Sequence, residues 1–401
     1  MRAFFKNNRT LLILSIISLA AFILIGLFTV FRINTGSLLT LDIKPFYASG
    51  KMVGAGVGDK MYDINTQYFW EHKLSLAPEK LYFMSFLTPP YIALLFYPLS
   101  FLTIKNAYMV VFVLNVLILE VGLFLLFKDK FKKNALKRNI FYYFFPLIFL
   151  PVWFALLQAQ LSFILFLGFV GSWYCFKHDK PFYAGLFLSL LLLKFHLAIL
   201  PVLLLVWKKQ RSALSGFFIV GVILFIISLL LVGASGLINY VHLLVAIPYE
   251  NVFSAIHPQL ETSLRGLLQY VTGTNNIAPI IIPLILGFLY VFILFLLSFK
   301  GKWEPKTNRF DIEWSILIIA VLLTSLHTYL HDIVLFIFPV IVFFEQFKDF
   351  NKIFIASLII FGAFILSIVF FVITVPAMGI MYLIFVLLLE KNRLSAGPKS
   401  V

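Results

Sequence analysis

The sequence predicts an all-α, polytopic transmembrane helical protein, with about 11–12 membrane segments and a long first outer loop. Three observations predict the class. Of 401 residues, 62% are hydrophobic, 48 are Phe and only 12% are charged, where soluble globular chains are roughly 45–50% apolar and 25% charged. The apolar residues come in runs of membrane length, not in the alternating pattern of a transmembrane β-barrel. The basic residues sit in short clusters between those runs, which is the usual orientation signal of cytoplasmic loops. That placement also sets aside nucleic acid as a partner, despite a formal charge of +15.

The elements follow in order. Leu11 to Phe31 is a first span behind a basic start (Arg2, Lys6, Arg9). No small-residue cleavage site follows Phe31, so the run reads as a retained helix and not a signal peptide. Residues 32–88 form the first outer loop, of mixed charge, loosened by Gly54, Gly56 and Gly58. The apolar stretch from Pro89 to Leu102 is short and is expected to re-enter or lie at the interface, before a full span over Ala107–Phe127. The cluster from Lys128 to Arg138 is cytoplasmic, and Gln158 and Gln160 mark an outer turn.

Residues 181–207 have basic residues at both flanks and hold Lys194 and His196 at their centre. Two short, broken helices meeting at Lys194-Phe195-His196 reconcile charge with length. Broken backbone at membrane depth is tolerated where it is buried in protein or lines a cavity. Residues 234–278 form a second outer loop, and His327 to Asp332 a third polar turn on that side. Basic groups at Lys300–Arg309, Lys348, Lys352 and Lys391–Lys399 return to the inside, so both termini are expected there. Cys175 is the single cysteine and lies in an apolar run, so no internal disulfide forms. The chain reads as one domain over 1–401.

Several polar groups could carry chemistry. Asp42 opens the first outer loop beside Lys44, Phe46 and Tyr47. A carboxylate there can reach both a lipid head group and a water-soluble molecule, as a general base would need. Tyr62 and Asp63 follow; Asp also favours turns and helix caps. Gln158 and Gln160 can hydrogen-bond sugar hydroxyls or stay solvated. Lys194 and His196 are stronger, because a Lys within an apolar run costs ~2.5–3.5 kcal/mol unless it finds a cavity or partner. The second outer loop offers His257, Gln259, Glu261 and Arg265; Arg binds phosphate in a planar, bidentate way. His327, Tyr329, His331 and Asp332 form a dense polar group in the C-terminal half. Their spacing would permit a divalent metal, but no third strong ligand is near in sequence, so no metal site and no cofactor are assigned. Asp332 also suits the N-cap of the following span. No Gly-rich phosphate loop, paired-Cys metal site or nucleophile elbow is present.

In order, these pieces resemble glycosyltransferase family 87. They are Asp42, Phe46, Tyr47 and Gly50; Tyr62-Asp63; Pro89-Pro90; Pro98-Leu99; Gln158 and Gln160; Gly185-Leu186 with Lys194; Ser263 to Gly266; and His327-Thr328-Tyr329-Leu330-His331-Asp332. Ile43 stands where an aromatic is usual after the Asp, and residues 257–262 replace a tighter Asn-Gln-Ser run. The resemblance implies a GT-C membrane enzyme taking a hexose, typically mannose, from a polyprenyl-phosphate donor to a lipid or glycan acceptor. It implies inversion, an outer-face site in a bacterial inner membrane, and Asp42 as general base. The substrate-binding candidates are Lys44, Tyr47, Tyr62, Gln158, Gln160, Lys194, His196, Gln259, Arg265, His327, Tyr329, His331 and Asp332. The rival from another class is a transporter or flippase of a lipid-linked sugar, which would show polar residues at mid-depth in two related halves. A surface-polysaccharide polymerase or ligase would instead want basic residues concentrated in one outer loop.

Overall fold

The computed structural model of the chain describes residues 9–32, 38, 40–74, 83–130, 136–246, 260–274, 276–347, 373–395 and scattered positions between 351 and 362. Every regular element among them is helical. Four helices are long and apolar enough to cross a bilayer: Ile104–Lys128, Arg211–Val245, Ala278–Ser298 and Thr374–Lys391. Asn139–Ile148 and Leu150–Leu157, bent by 48°, make a fifth if they count as one span. Pro146 inside the first piece and Pro151 at the start of the second account for the bend. Shorter apolar helices include Ser162–Lys177 and Leu330–Phe344. This is the make-up of an integral membrane protein.

The core lies around Asn308–Thr324, whose residues from Phe310 to Leu323 are all buried. A helix that is apolar on every face can only be stable inside other helices. At the other extreme, just 17% of the best apolar stretch of Arg211–Val245 is buried, as suits a helix against lipid. That peripheral helix packs closely on Pro181–Leu188. A Cβ added at Gly185 would lie 1.8 Å from the Ala213 carbonyl oxygen. Small residues permit such backbone contact where no hydrophobic effect drives helices together.

The break expected within 181–207 is present. Pro181–Leu188 is α-helical, Ser189–Leu197 is 3-10, and Ile199–Trp207 is α-helical again. Lys194 sits at the break with φ −131° and ψ 78°. The short 89–102 stretch forms a helix over Pro90–Phe96 and a 3-10 turn over Pro98–Phe101.

Two outer loops depart from expectation. Residues 32–88 contain helices at Ile43–Gly54 and Ile64–His72. The first buries Phe46, Tyr47 and Met52 against Pro90–Phe96; the second is capped by Asp63, whose Oδ2 accepts from Thr66 N at 2.8 Å. Asp63 is therefore a helix cap. The second loop, expected over 234–278, is helical as far as Ala246 and again over Leu264–Thr272. Gly233, with φ 68° and ψ 178°, is non-helical and divides Arg211–Ala246 into two helices at a kink.

Candidate functional site

The start of Ile43–Gly54, the extended segment 84–89, the turn at 160, the break at 193–196, the last turns before Ala246, Arg265 and the turn 326–331 converge on one cavity of about 370 Å³. Of the residues singled out from sequence, it brings together Asp42, Gln160, Lys194, His196, Arg265, His327, Tyr329 and His331.

Asp42 is the carboxylate of the cavity lining. It occupies the cap position before Ile43 yet makes no capping bond with its side chain. Instead the turn at 158–160 holds it. Its backbone N–H donates to Gln158 Oε1 at 3.3 Å, and Gln160 Nε2 donates to its Oδ2 in a short hydrogen bond. The two glutamines expected to meet sugar hydroxyls thus hold the acid, and Gln158 does not line the cavity.

The same cavity is lined by nitrogen-bearing side chains. Lys194 Nζ lies 2.6 Å and 2.7 Å from the two Asp332 oxygens and 3.2 Å from His331 Nε2. Asp332 is fully buried and also accepts from Ser162 Oγ at 2.9 Å and from the Tyr329 N–H at 3.2 Å. Four hydrogen bonds from three donors on one buried carboxylate offset much of its desolvation. Asp332 therefore supports Lys194 from behind and does not line the cavity. Its place is the third residue of the 3-10 helix Leu330–Phe336, not the N-cap, because Tyr329 holds the cap position.

Arg265 sits in the first turn of Leu264–Thr272, whose N-cap is Ser263. Its NH1 donates to the Leu326 carbonyl at 2.8 Å and lies 3.6 Å from Glu261 Oε1. Its Nε is buried without a protein partner. The same Glu261 oxygen lies 3.4 Å from His327 Nδ1, so one buried carboxylate orients both groups. His196 Nε2 donates to the His327 carbonyl at 3.1 Å. The Tyr329 ring stands edge-on to His327, with centroids 5.0 Å apart, and lies beside His331. Lys194 and Arg265 are each paired with a carboxylate that does not line the cavity, Asp332 and Glu261.

Three other expected residues do not line the cavity. Lys44 is fully buried and pairs with Glu71 at 2.9 Å. Glu71 also accepts from Met84 N at 3.1 Å. Burial pushes the Glu71 carboxyl up to about 7, with Lys44 pulling the other way. One turn earlier, Gln67 grips the Phe86 backbone on both sides, accepting its N–H at 2.9 Å and donating to its carbonyl at 3.2 Å. Lys44 thus anchors the cavity wall at 84–89 without contacting its contents. Tyr47 donates to the Leu102 carbonyl at 2.7 Å and Tyr62 to the Thr88 carbonyl at 2.6 Å. Both fix backbone. Gln259 and His257 lie outside the described residues.

Sequence reasoning named Phe46 but missed two further aromatics of the cavity lining, Phe86 and Tyr240. The Tyr62 and Tyr240 rings meet tilted by 36°, with centroids 4.7 Å apart, and join that lining to the first outer loop. Tyr240 was hidden because 234–278 read as a loop, and an aromatic in an apolar chain carries no signal of its own. Among the described residues, no three His, Cys, Asp or Glu side chains converge as a metal ion would require.

Neither a curated protein nor a solved structure matches the chain. The model of glycosyltransferase family 87 does, over residues 86–328, a stretch that holds Gln160, Lys194, His196, Arg265 and His327 and begins after Asp42. With well over half its length matched, the chain belongs to glycosyltransferase family 87.

Proposed function

We propose that this glycosyltransferase moves a hexose, mannose in the first instance, from a polyprenyl-phosphate donor to a hydroxyl of a lipid or glycan acceptor. The observation that carries the reading is that, among the described residues, one carboxylate, Asp42, lines a cavity together with two cationic side chains, Lys194 and Arg265, and the imidazoles of His327 and His331. Asp42 takes the proton of the acceptor hydroxyl through the oxygen that Gln160 does not bind. The acceptor oxygen then attacks the anomeric carbon as the bond from that carbon to the phosphate oxygen breaks. The polyprenyl phosphate leaves with the bonding pair, and those nitrogen-bearing side chains stabilise its charge.

The reaction is read as inverting from the carboxylates among the described residues. Retention through a covalent glycosyl intermediate needs a second carboxylate at the reacting carbon. Glu261 and Asp332 are turned to Arg265, His327 and Lys194, and neither lines the cavity. A single displacement with Asp42 as base fits that arrangement.

The donor is read as lipid-linked because the leaving group already carries its phosphate and the cavity wall includes exposed apolar side chains, Phe195 and Leu326. The basic clusters in the inner loops orient the cavity to the non-cytoplasmic face of the membrane, in a bacterium the inner membrane, with both termini inside. Purified protein in detergent, given a membrane lipid extract as acceptor pool, tests the donor class. Transfer from polyprenyl-phosphate mannose, and none from GDP-mannose, is expected. Transfer from the nucleotide sugar alone would overturn the lipid-linked reading.

A further inference from the structure

The turn that holds Asp42 is itself strained and is held by a span that contributes nothing to the cavity lining. The helix Leu150–Leu157 ends with Ala159 in the left-handed region, at φ 56°. Ala159 N donates to the Leu156 carbonyl at 3.1 Å and Gln160 N to the Ala155 carbonyl at 3.0 Å. This paired pattern ends many helices, but the left-handed residue is usually Gly; a Cβ there costs roughly 1–2 kcal/mol. The conformation throws Gln158 and Gln160 to the side where Asp42 stands.

Two side chains of Ile104–Lys130 grip this turn from behind. Tyr108 OH donates to the Leu157 carbonyl at 3.0 Å. Asn115 Nδ2 donates to the Gln160 carbonyl at 2.9 Å. Both side chains are buried, at 0% and 2% exposure. They are seven residues apart, two helical turns, and so share one face. An amide inside a membrane-length apolar helix is expensive unless it satisfies a specific partner. Here the partner is the backbone of the residue whose side chain donates to Asp42.

We propose that Asn115, together with Tyr108, is a positioning residue for the transfer reaction. It fixes the Leu157–Gln160 turn so that Gln158 and Gln160 set the Asp42 carboxylate at the angle proton removal requires. This rests on the reading of Asp42 as the base. A small misplacement of a reacting group can cost on the order of 100-fold in rate, and two buried hydrogen bonds are a reason to expect part of that here.

The test is a double-mutant cycle on the full-length protein in detergent, read with the polyprenyl-phosphate hexose that the wild type turns over. Asn115→Ala should lower kcat about 10-fold with KM within about twofold, and Tyr108→Phe, which removes only a hydroxyl, should do the same more weakly. In a Gln160→Ala background the same Asn115→Ala change should cost less than about twofold, because the group it acts through is gone. Equal losses in both backgrounds, or a loss carried by KM, would overturn the proposal. Hydrogen exchange gives a readout that needs no donor: amides of residues 155–161 should exchange faster in Asn115→Ala while other helices are unchanged, and unchanged protection there would also overturn it. An Asp42→Asn enzyme with full activity would instead remove the premise, so the two failures are distinct.

Discussion

Asp42 and Lys194 reach one cavity from positions 152 residues apart, and each is held by partners that sequence order hides. Lys194 was legible because a cation inside an apolar run must be accounted for. Its partner Asp332 was legible as polar but not as a partner, since 138 residues separate the two. The pair makes a direct prediction. Asp332→Asn removes the charge that balances Lys194 and should destabilise the fold by ~3–5 kcal/mol. Pairing it with Lys194→Met should recover much of that loss while leaving transfer impaired. Thermal unfolding in detergent reads the first effect and the transfer rate the second. Arg265 supports a subtler expectation. Its planar fork is anchored at NH1 by the Leu326 carbonyl. Arg265→Lys keeps the charge but loses that geometry, so kcat/KM should fall about 10-fold or more with little change in unfolding temperature.

Elements were legible where chemistry forced the chain and hidden where packing did. The break at Lys194 followed from basic flanks and an ionisable centre. The helices inside 32–88, and the helical run from Gly233 to Ala246, did not follow, because short helices in polar loops owe their stability to tertiary contact and not to propensity. The close approach of Pro181–Leu188 and Arg211–Ala246 depends on Gly185. Gly185→Val would force the two backbones apart, with an expected loss of ~1–3 kcal/mol or more in unfolding free energy. The latch between Ile43–Gly54 and Ile64–His72 predicts a pH effect. Glu71 holds its proton up to about pH 7 in the folded chain, against about 4.5 for an ordinary glutamate side chain. The unfolded chain releases that proton first. The stability Glu71 contributes is therefore complete below about pH 4.5 and is lost as pH rises to about 7. Glu71→Gln should flatten the fall in unfolding temperature across that window; an unchanged slope would assign it to other groups.

At the scale of the whole molecule, composition and charge spacing make a polytopic helical membrane protein, and the order of degenerate motifs points to a family whose model matches residues 86–328. What sequence could not supply is depth: which polar groups meet the cavity and which stand one layer behind it. Lys44, Tyr47, Tyr62, Gln158 and Asp332 are of the second kind, because a hydrogen bond to a backbone carbonyl or a buried carboxylate leaves no mark in the chain. The central claim is that Asp42 is the base of a transfer reaction from a polyprenyl-phosphate sugar. Its most direct test is the initial rate of mannosyl transfer to extracted membrane lipid by the purified protein and by Asp42→Asn, with unfolding temperatures measured alongside. A general base contributes about 10²–10⁴-fold. The account predicts a loss of that order in Asp42→Asn with the fold intact; a folded Asp42→Asn protein that transfers at the wild-type rate would contradict it.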